Sequence, residues 1–143
     1  MFLYNYQSLY FSPCMNPRSI HKILTYLLAT VWLINGLYCK VLHFVPRHQQ
    51  IVARILGDEY ARPLTILIGI SEIGMVVWLL SGRQTRLCAW AQMIIVSAMN
   101  IVEFYLVPDL LLWGRVNALF ALLFVALVYY TEFILNKKLI KQL

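Results

Sequence analysis

Four long apolar runs alternate with short polar breaks along the chain, at about residues 20–45, 64–80, 87–107 and 115–135. Pro46, Pro63, Pro108 and the Gly82–Arg83 pair lie between them, where helix breakers belong. Each run approaches the ~20 apolar residues that a helix needs to cross ~30 Å of hydrocarbon. Within the runs the apolar residues are nearly continuous, whereas a helix of a soluble bundle carries them as a stripe on one face. The pattern predicts an all-α, integral membrane four-helix bundle over residues 20–135. It leaves an N-terminal tail at 1–19 and a basic tail at 136–143.

The break between the first two runs has a pattern of its own. In PRHQQIVARILGDEYARP, residues Ile51, Val52, Ile55 and Leu56 share one helical arc, with Arg47, Gln50 and Arg54 opposite. This spacing predicts a short amphipathic interfacial helix between helices 1 and 2, lying on the membrane surface and ended by Gly57. His48 projects with Ile51 and Ile55. It is read either as a histidine at the wet head-group boundary or as a cap over a pocket beneath the loop.

Composition agrees with the pattern. Of 143 residues, 62% are hydrophobic and only 13% are charged, which is too apolar for the solvated surface of a soluble domain. The opening stretch MFLYNYQSLYFSPCMNP lacks the basic start, apolar core and small-residue cleavage site of a signal peptide, and Met15 offers an alternative start.

Net charge is +6. Arg18, Lys22, Arg83, Arg86, Lys137, Lys138 and Lys141 fall on the side of both termini, against Lys40, Arg47, Arg54, Arg62 and Arg115 on the other. The excess predicts a multi-pass protein of the inner (plasma) membrane with both termini cytoplasmic. Such a basic surface suits anionic lipid head groups of the bilayer, and no groove or motif points to nucleic acid.

Polar residues inside the spans carry the candidate chemistry. At ~1.5 Å per residue from the loop end, Asn35 lies ~15 Å deep, Glu72 ~13 Å and Lys40 ~8 Å. Gly36, Lys40 and His43 fall on one face of the first helix, and Asn100 and Glu103 share a face of the third. Gly69 and Gly74 flank Ser71 and Glu72, as residues that permit close backbone approach. A carboxylate at the depth of Glu72 needs a proton or a cation, and Lys40 is the best cation within reach. The pocket candidates are therefore Lys40, Glu72, Asn100, Glu103, Asn35, His43 and His48. Lys40, Glu72, Glu103 and Asn100 are expected to cluster. Two other readings of Lys40 stay open, a buried pair that only sets helix register and an anchor that snorkels to the head groups.

Other chemistries find little footing. Cys14, Cys39 and Cys88 are isolated, with no Cys-x-x-Cys pair, and His21, His43 and His48 have no metal or haem spacing. No metal site, phosphate loop or nucleophile elbow is present in the pattern, so whether the chain is an enzyme stays open.

The stretches WLINGLYCKVLHFVPRHQQIVARILG (residues 32–57) and GISEIGMVVWLLSG (residues 69–82) resemble the DoxX-like family of small four-helix integral membrane proteins. The resemblance covers roughly residues 20–135. The wider superfamily includes small subunits of thiosulfate–quinone oxidoreductases, which implies a quinone-proximal or redox-associated role. Three readings of function stay open. The first is an accessory or binding protein for a lipophilic molecule such as a quinone, held in an outer-half polar pocket. The second is the membrane subunit of a redox complex whose partner carries the cofactor, since this chain has no cofactor site of its own. The third is a non-catalytic membrane assembly factor. Orientation is checked by fusing a reporter that is active only outside the cytoplasm. Fusions in the 46–63 loop are expected to be active and C-terminal fusions silent, and an active C-terminal fusion would invert the topology.

Overall fold

The computed structural model describes residues 16–141. Its five helices are α1 (Pro17–Val41), α2 (Arg47–Leu56), α3 (Ala61–Ser81), α4 (Thr85–Leu106) and α5 (Gly114–Lys141). All but α2 are long and apolar enough to cross a membrane. Large side chains such as Leu67, Ile70, Val77, Ile94 and Leu122 point outward, which suits hydrocarbon and not water. The architecture is a helical membrane bundle, as the hydropathy pattern predicts. Most of the proposed tail at 1–19 lies outside the described residues, as does Cys14.

Four crossings place the start of α1 and the end of α5 at one end of the bundle and α2 at the other. α3 packs mainly on α1 and α5 on α4, and the two pairs join through α1 with α5 and α3 with α4. The shared core holds Trp32, Met75, Val76, Cys88 and Ala89, with the Phe124 ring edge-on to Trp32 at 6.0 Å.

α1 starts at Pro17, whose fixed φ suits the first helical position, and Asn16 Oδ1 caps it by accepting from the Arg18 backbone N–H at 3.0 Å. Its last two turns, Ile34–Val41, widen into a π-helical segment, and the Leu42 N–H closes it on the Leu37 carbonyl. The helix stops there and not at residue 45, because the Arg62 guanidinium takes the carbonyls of Lys40 and Val41 at 2.9 and 3.0 Å. Those oxygens would otherwise be orphaned at the helix end. His43, with φ +60°, then turns the chain away.

The second difference is at the C-terminus, where α5 continues through another π-helical turn to Lys141. Lys137, Lys138 and Lys141 therefore extend a helix instead of forming a separate tail, and their charges complement its C-terminal dipole. α2 forms where the amphipathic pattern places it. Ile51 and Val52 are buried, with α3 the main helix it packs on, while Leu56 points out and Gly57 (φ +99°) ends the helix. Arg54 Nη1 reaches both carboxylate oxygens of Asp109 at 2.9 and 2.7 Å and ties α2 to the α4–α5 loop.

The tightest helix contact is between α1 and α3. A methyl group on Gly36 would stand 2.7 Å from the Gly69 carbonyl oxygen and 2.9 Å from Glu72 Cβ. One on Gly69 would meet the Gly36 carbonyl at 2.7 Å and Lys40 Cβ at 3.0 Å. Gly74, expected to serve the same purpose, faces open space, and Ser71 is exposed and bonds to its own helix. Helical rotation explains the difference, since Gly69 and Glu72 point toward α1 and residues 71 and 74 do not. Gly36→Val and Gly69→Val are expected to lower stability by about 1–3 kcal/mol or more through overpacking against backbone. Gly74→Ala is expected to be neutral or to stabilise by up to ~1 kcal/mol through helix propensity. Thermal unfolding of the detergent-solubilised protein checks both.

Candidate functional site

The glycine contact brings the two charged residues of the crossing together. Lys40 Nζ donates to Glu72 Oε1 at 2.6 Å, and the two residues are only 4% and 5% exposed. Depth and spacing place Lys40 among Glu72, Glu103 and Asn100, and the hydrogen bond goes to Glu72. The ammonium has three N–H bonds and the carboxylate two oxygens, so one contact leaves hydrogen-bonding capacity on both. Glu72 Oε2 is buried with no hydrogen-bond partner, and among the described residues Arg47 Nε is the one other buried side-chain atom in this condition. An orphaned carboxylate oxygen inside a membrane bundle is costly and marks a place where a donor is accepted.

Around this pair the chain closes from the loop end. Arg62, near the start of α3, caps α1 and also approaches His43 Nδ1 at 3.3 Å. His43 therefore stands beyond the helix end and not on the face of Gly36 and Lys40, because the cap and the positive φ end the helical register first. His48, on the first turn of α2, is half-buried with its pKa lowered to about 4. Burial is the main cause, with the charges of Lys40 and Arg47 adding to it. The imidazole is thus neutral at neutral pH, and α2 covers the pair without adding a third charge from His48.

The other candidates are distributed differently from the expected cluster. Asn100 Oδ1 accepts from Asn117 Nδ2 at 3.1 Å, linking α4 to α5, while its own amide donates to the Val96 carbonyl. Asn35 donates to the Val31 carbonyl of its own helix at 3.1 Å. Glu103 is half-buried on α4 within electrostatic reach of Lys40, Arg47 and Glu72, and the Lys40 hydrogen bond goes to Glu72. For Asn35 and Asn100 the reason is rotation about a helix axis, which residue spacing along one helix does not fix relative to its neighbours.

Arg62, Arg47 and Asn117 are neighbours of these candidates that the residue pattern does not single out as pocket residues. Arg62 and Arg47 look like interfacial charges by position, and the one usable signal was their placement at a helix start beside a helix end. Deeper in the bundle, Trp32 Nε1 donates to Gln92 Oε1 at 2.9 Å. Cys39 and Cys88 are free thiols, the second buried beside Gln92 and Met75. Among the described residues no three His, Cys, Asp or Glu side chains gather as metal ligands.

What the pair offers is a donor and an acceptor side by side in a water-poor setting, with a strong penalty for removing one alone. Lys40→Met is expected to cost about 3–5 kcal/mol by stranding a buried charge. Adding Glu72→Gln should recover much of that loss, while adding Glu103→Gln should not. Thermal unfolding of the single and double variants checks this, and additivity with both carboxylates would leave Lys40 as a snorkelling anchor.

A sequence model of the DoxX-like family matches residues 29–129, well over half of the chain and a span that includes Lys40, Arg62, Glu72 and Glu103. No curated protein and no solved structure matches the chain. The matched segment runs from the middle of α1 into α5 and so takes in parts of all four crossings. The chain is a multi-pass membrane protein that belongs to the DoxX-like family.

Proposed function

We propose that this protein is an accessory or binding protein for a lipophilic molecule with a quinone-type head, taken up beside Lys40 and Glu72. The observation that carries the reading is the buried, unpartnered Glu72 Oε2 next to an ammonium with N–H bonds to spare. Lys40 donates to a carbonyl oxygen of such a head, and Glu72 Oε2 accepts from a hydroxyl. The same two side chains therefore fit both the oxidised and the reduced form of the ring. A quinone supplies two-electron, two-proton chemistry when bound. The chain contributes the site, the exclusion of water and the positioning of a proton at Glu72. In the topology that the charge distribution favours, this end of the bundle faces the outer side of the plasma membrane. A redox partner in the same membrane is then the natural source or sink of electrons.

The test is saturable quenching of tryptophan fluorescence by a short-tailed benzoquinone, with the protein in nanodiscs. Losing a hydrogen bond to a charged group is expected to weaken binding roughly 10- to 100-fold in Glu72→Gln. The Lys40→Met/Glu72→Gln protein supplies a folded control with no charged pair, and it should not saturate. Absence of saturable quenching in the wild type, or equal affinity in all three proteins, would refute the site.

A further inference from the structure

The end of the bundle opposite Lys40 holds a second feature. Early turns of α1 and α4, with the last turns of α3 and part of α5, enclose a cleft of about 240 Å³. It lies at the level where α3 ends at Ser81 and α4 begins at Thr85, which is head-group depth for a spanning helix.

The lining includes the donors His21, Lys22 and Tyr26 on α1, but its threonine hydroxyls are all committed as donors. The Thr25 hydroxyl donates to the His21 carbonyl at 2.9 Å, and the Thr131 hydroxyl donates to the Leu127 carbonyl at 2.8 Å. The Thr85 hydroxyl donates to Glu132 Oε1 at 2.7 Å. Each hydroxyl has one proton, so all three threonines are left with lone pairs only. Glu132 adds a carboxylate, which also accepts from Asn136 Nδ2 at 3.1 Å and on its other side lines a hollow with Arg86 and Lys137. Gln92, 1% exposed, closes the cleft with its carbonyl already taken by Trp32 and one amide N–H directed at the Cys88 sulfur. The cation of the lining lies on α1, at Lys22. Tyr26 and Leu80 line the opening and are exposed on the lipid-facing surface.

A guest that fits must donate several hydrogen bonds to acceptors, carry positive charge toward Glu132, place an anion near Lys22 and send an apolar body past Tyr26 and Leu80. We propose that this cleft binds the head group of a phospholipid with a primary ammonium. The ammonium donates to Glu132 and to the threonine lone pairs, and the phosphate pairs with Lys22. This site is separate from the Lys40–Glu72 pair and stands whether or not a quinone binds there.

The N–H bonds of the ammonium are the decisive element, which makes methylation the probe. The full-length protein is exchanged into equimolar phosphatidylethanolamine, phosphatidylcholine and phosphatidylglycerol with matched acyl chains, and retained lipid is counted by native mass spectrometry. Phosphatidylethanolamine is expected to be retained about tenfold over phosphatidylcholine, the scale of losing a charged hydrogen bond. Its N-monomethyl and N,N-dimethyl forms should fall in between. Glu132→Gln still accepts from Thr85 and should bring the ratio near one, and Lys22→Gln should lower retention of both zwitterionic lipids. Equal retention of phosphatidylethanolamine and phosphatidylcholine by the wild type overturns the proposal, and so does preference for phosphatidylglycerol. Full displacement by free phosphoethanolamine would overturn it in favour of a soluble zwitterion. The wild-type ratios decide the matter even if a variant fails to fold.

Discussion

An ammonium group in hydrocarbon has two ways to avoid an unacceptable solvation cost. It can reach the head groups along its own flexible stem, or it can meet a carboxylate inside the protein. The second solution imposes geometry on everything nearby. Lys40 and Glu72 make contact because α1 and α3 approach to backbone distance at Gly36 and Gly69, and the glycines can sit there because nothing projects from either. The ion pair and the bare glycines are mutually dependent, since a wider crossing would separate the charges. Arg62 reinforces the same contact by holding the end of α1 against the beginning of α3.

The two ends of the bundle consequently handle polarity in different ways. Near α2, one tight pair is buried, with a neutral histidine on α2 and an arginine cap beside it, while a second pair, Arg54 with Asp109, lies exposed. Near the termini, polarity is diffuse, spread over hydroxyls, an amide and one carboxylate along an open cleft. Between them lies a core of Trp32, Met75, Cys88 and Gln92, in which the single strong hydrogen bond is the indole to the glutamine carbonyl. A molecule reaching either end from the lipid meets a distinct set of donors and acceptors.

The spans were legible because hydrocarbon demands apolar residues on every side of a helix, and a continuous apolar run of that length does not suit a helix with one wet face. The Lys40–Glu72 pair was legible for a related reason, since two opposite charges at comparable depth have few alternative partners. Spacing places Asn100 with Lys40, but an amide is satisfied equally well by Asn117 on α5, and no charge forces the choice. Helical periodicity puts His43 on the face of Lys40 only if the helix runs past residue 41, where the Arg62 cap ends it. The terminal cleft left little trace in the residue pattern. Threonine is compatible with a membrane helix, and its hydroxyl usually bonds to a carbonyl one turn back, so three threonines facing one space look like three unrelated helix residues.

The widened segment at Ile34–Val41 can be read as a vernier. A regular α-helix turns roughly 100° per residue, so the same residues wound as an unbroken α-helix would rotate those beyond the wide turn by about a quarter turn. Lys40 would then swing off the α3 side while Trp32, upstream, kept its bond to Gln92. The wide turn thus uncouples the angular setting of the core from that of the charged pair, and it lets one helix serve two partners whose positions no single helical pitch would satisfy.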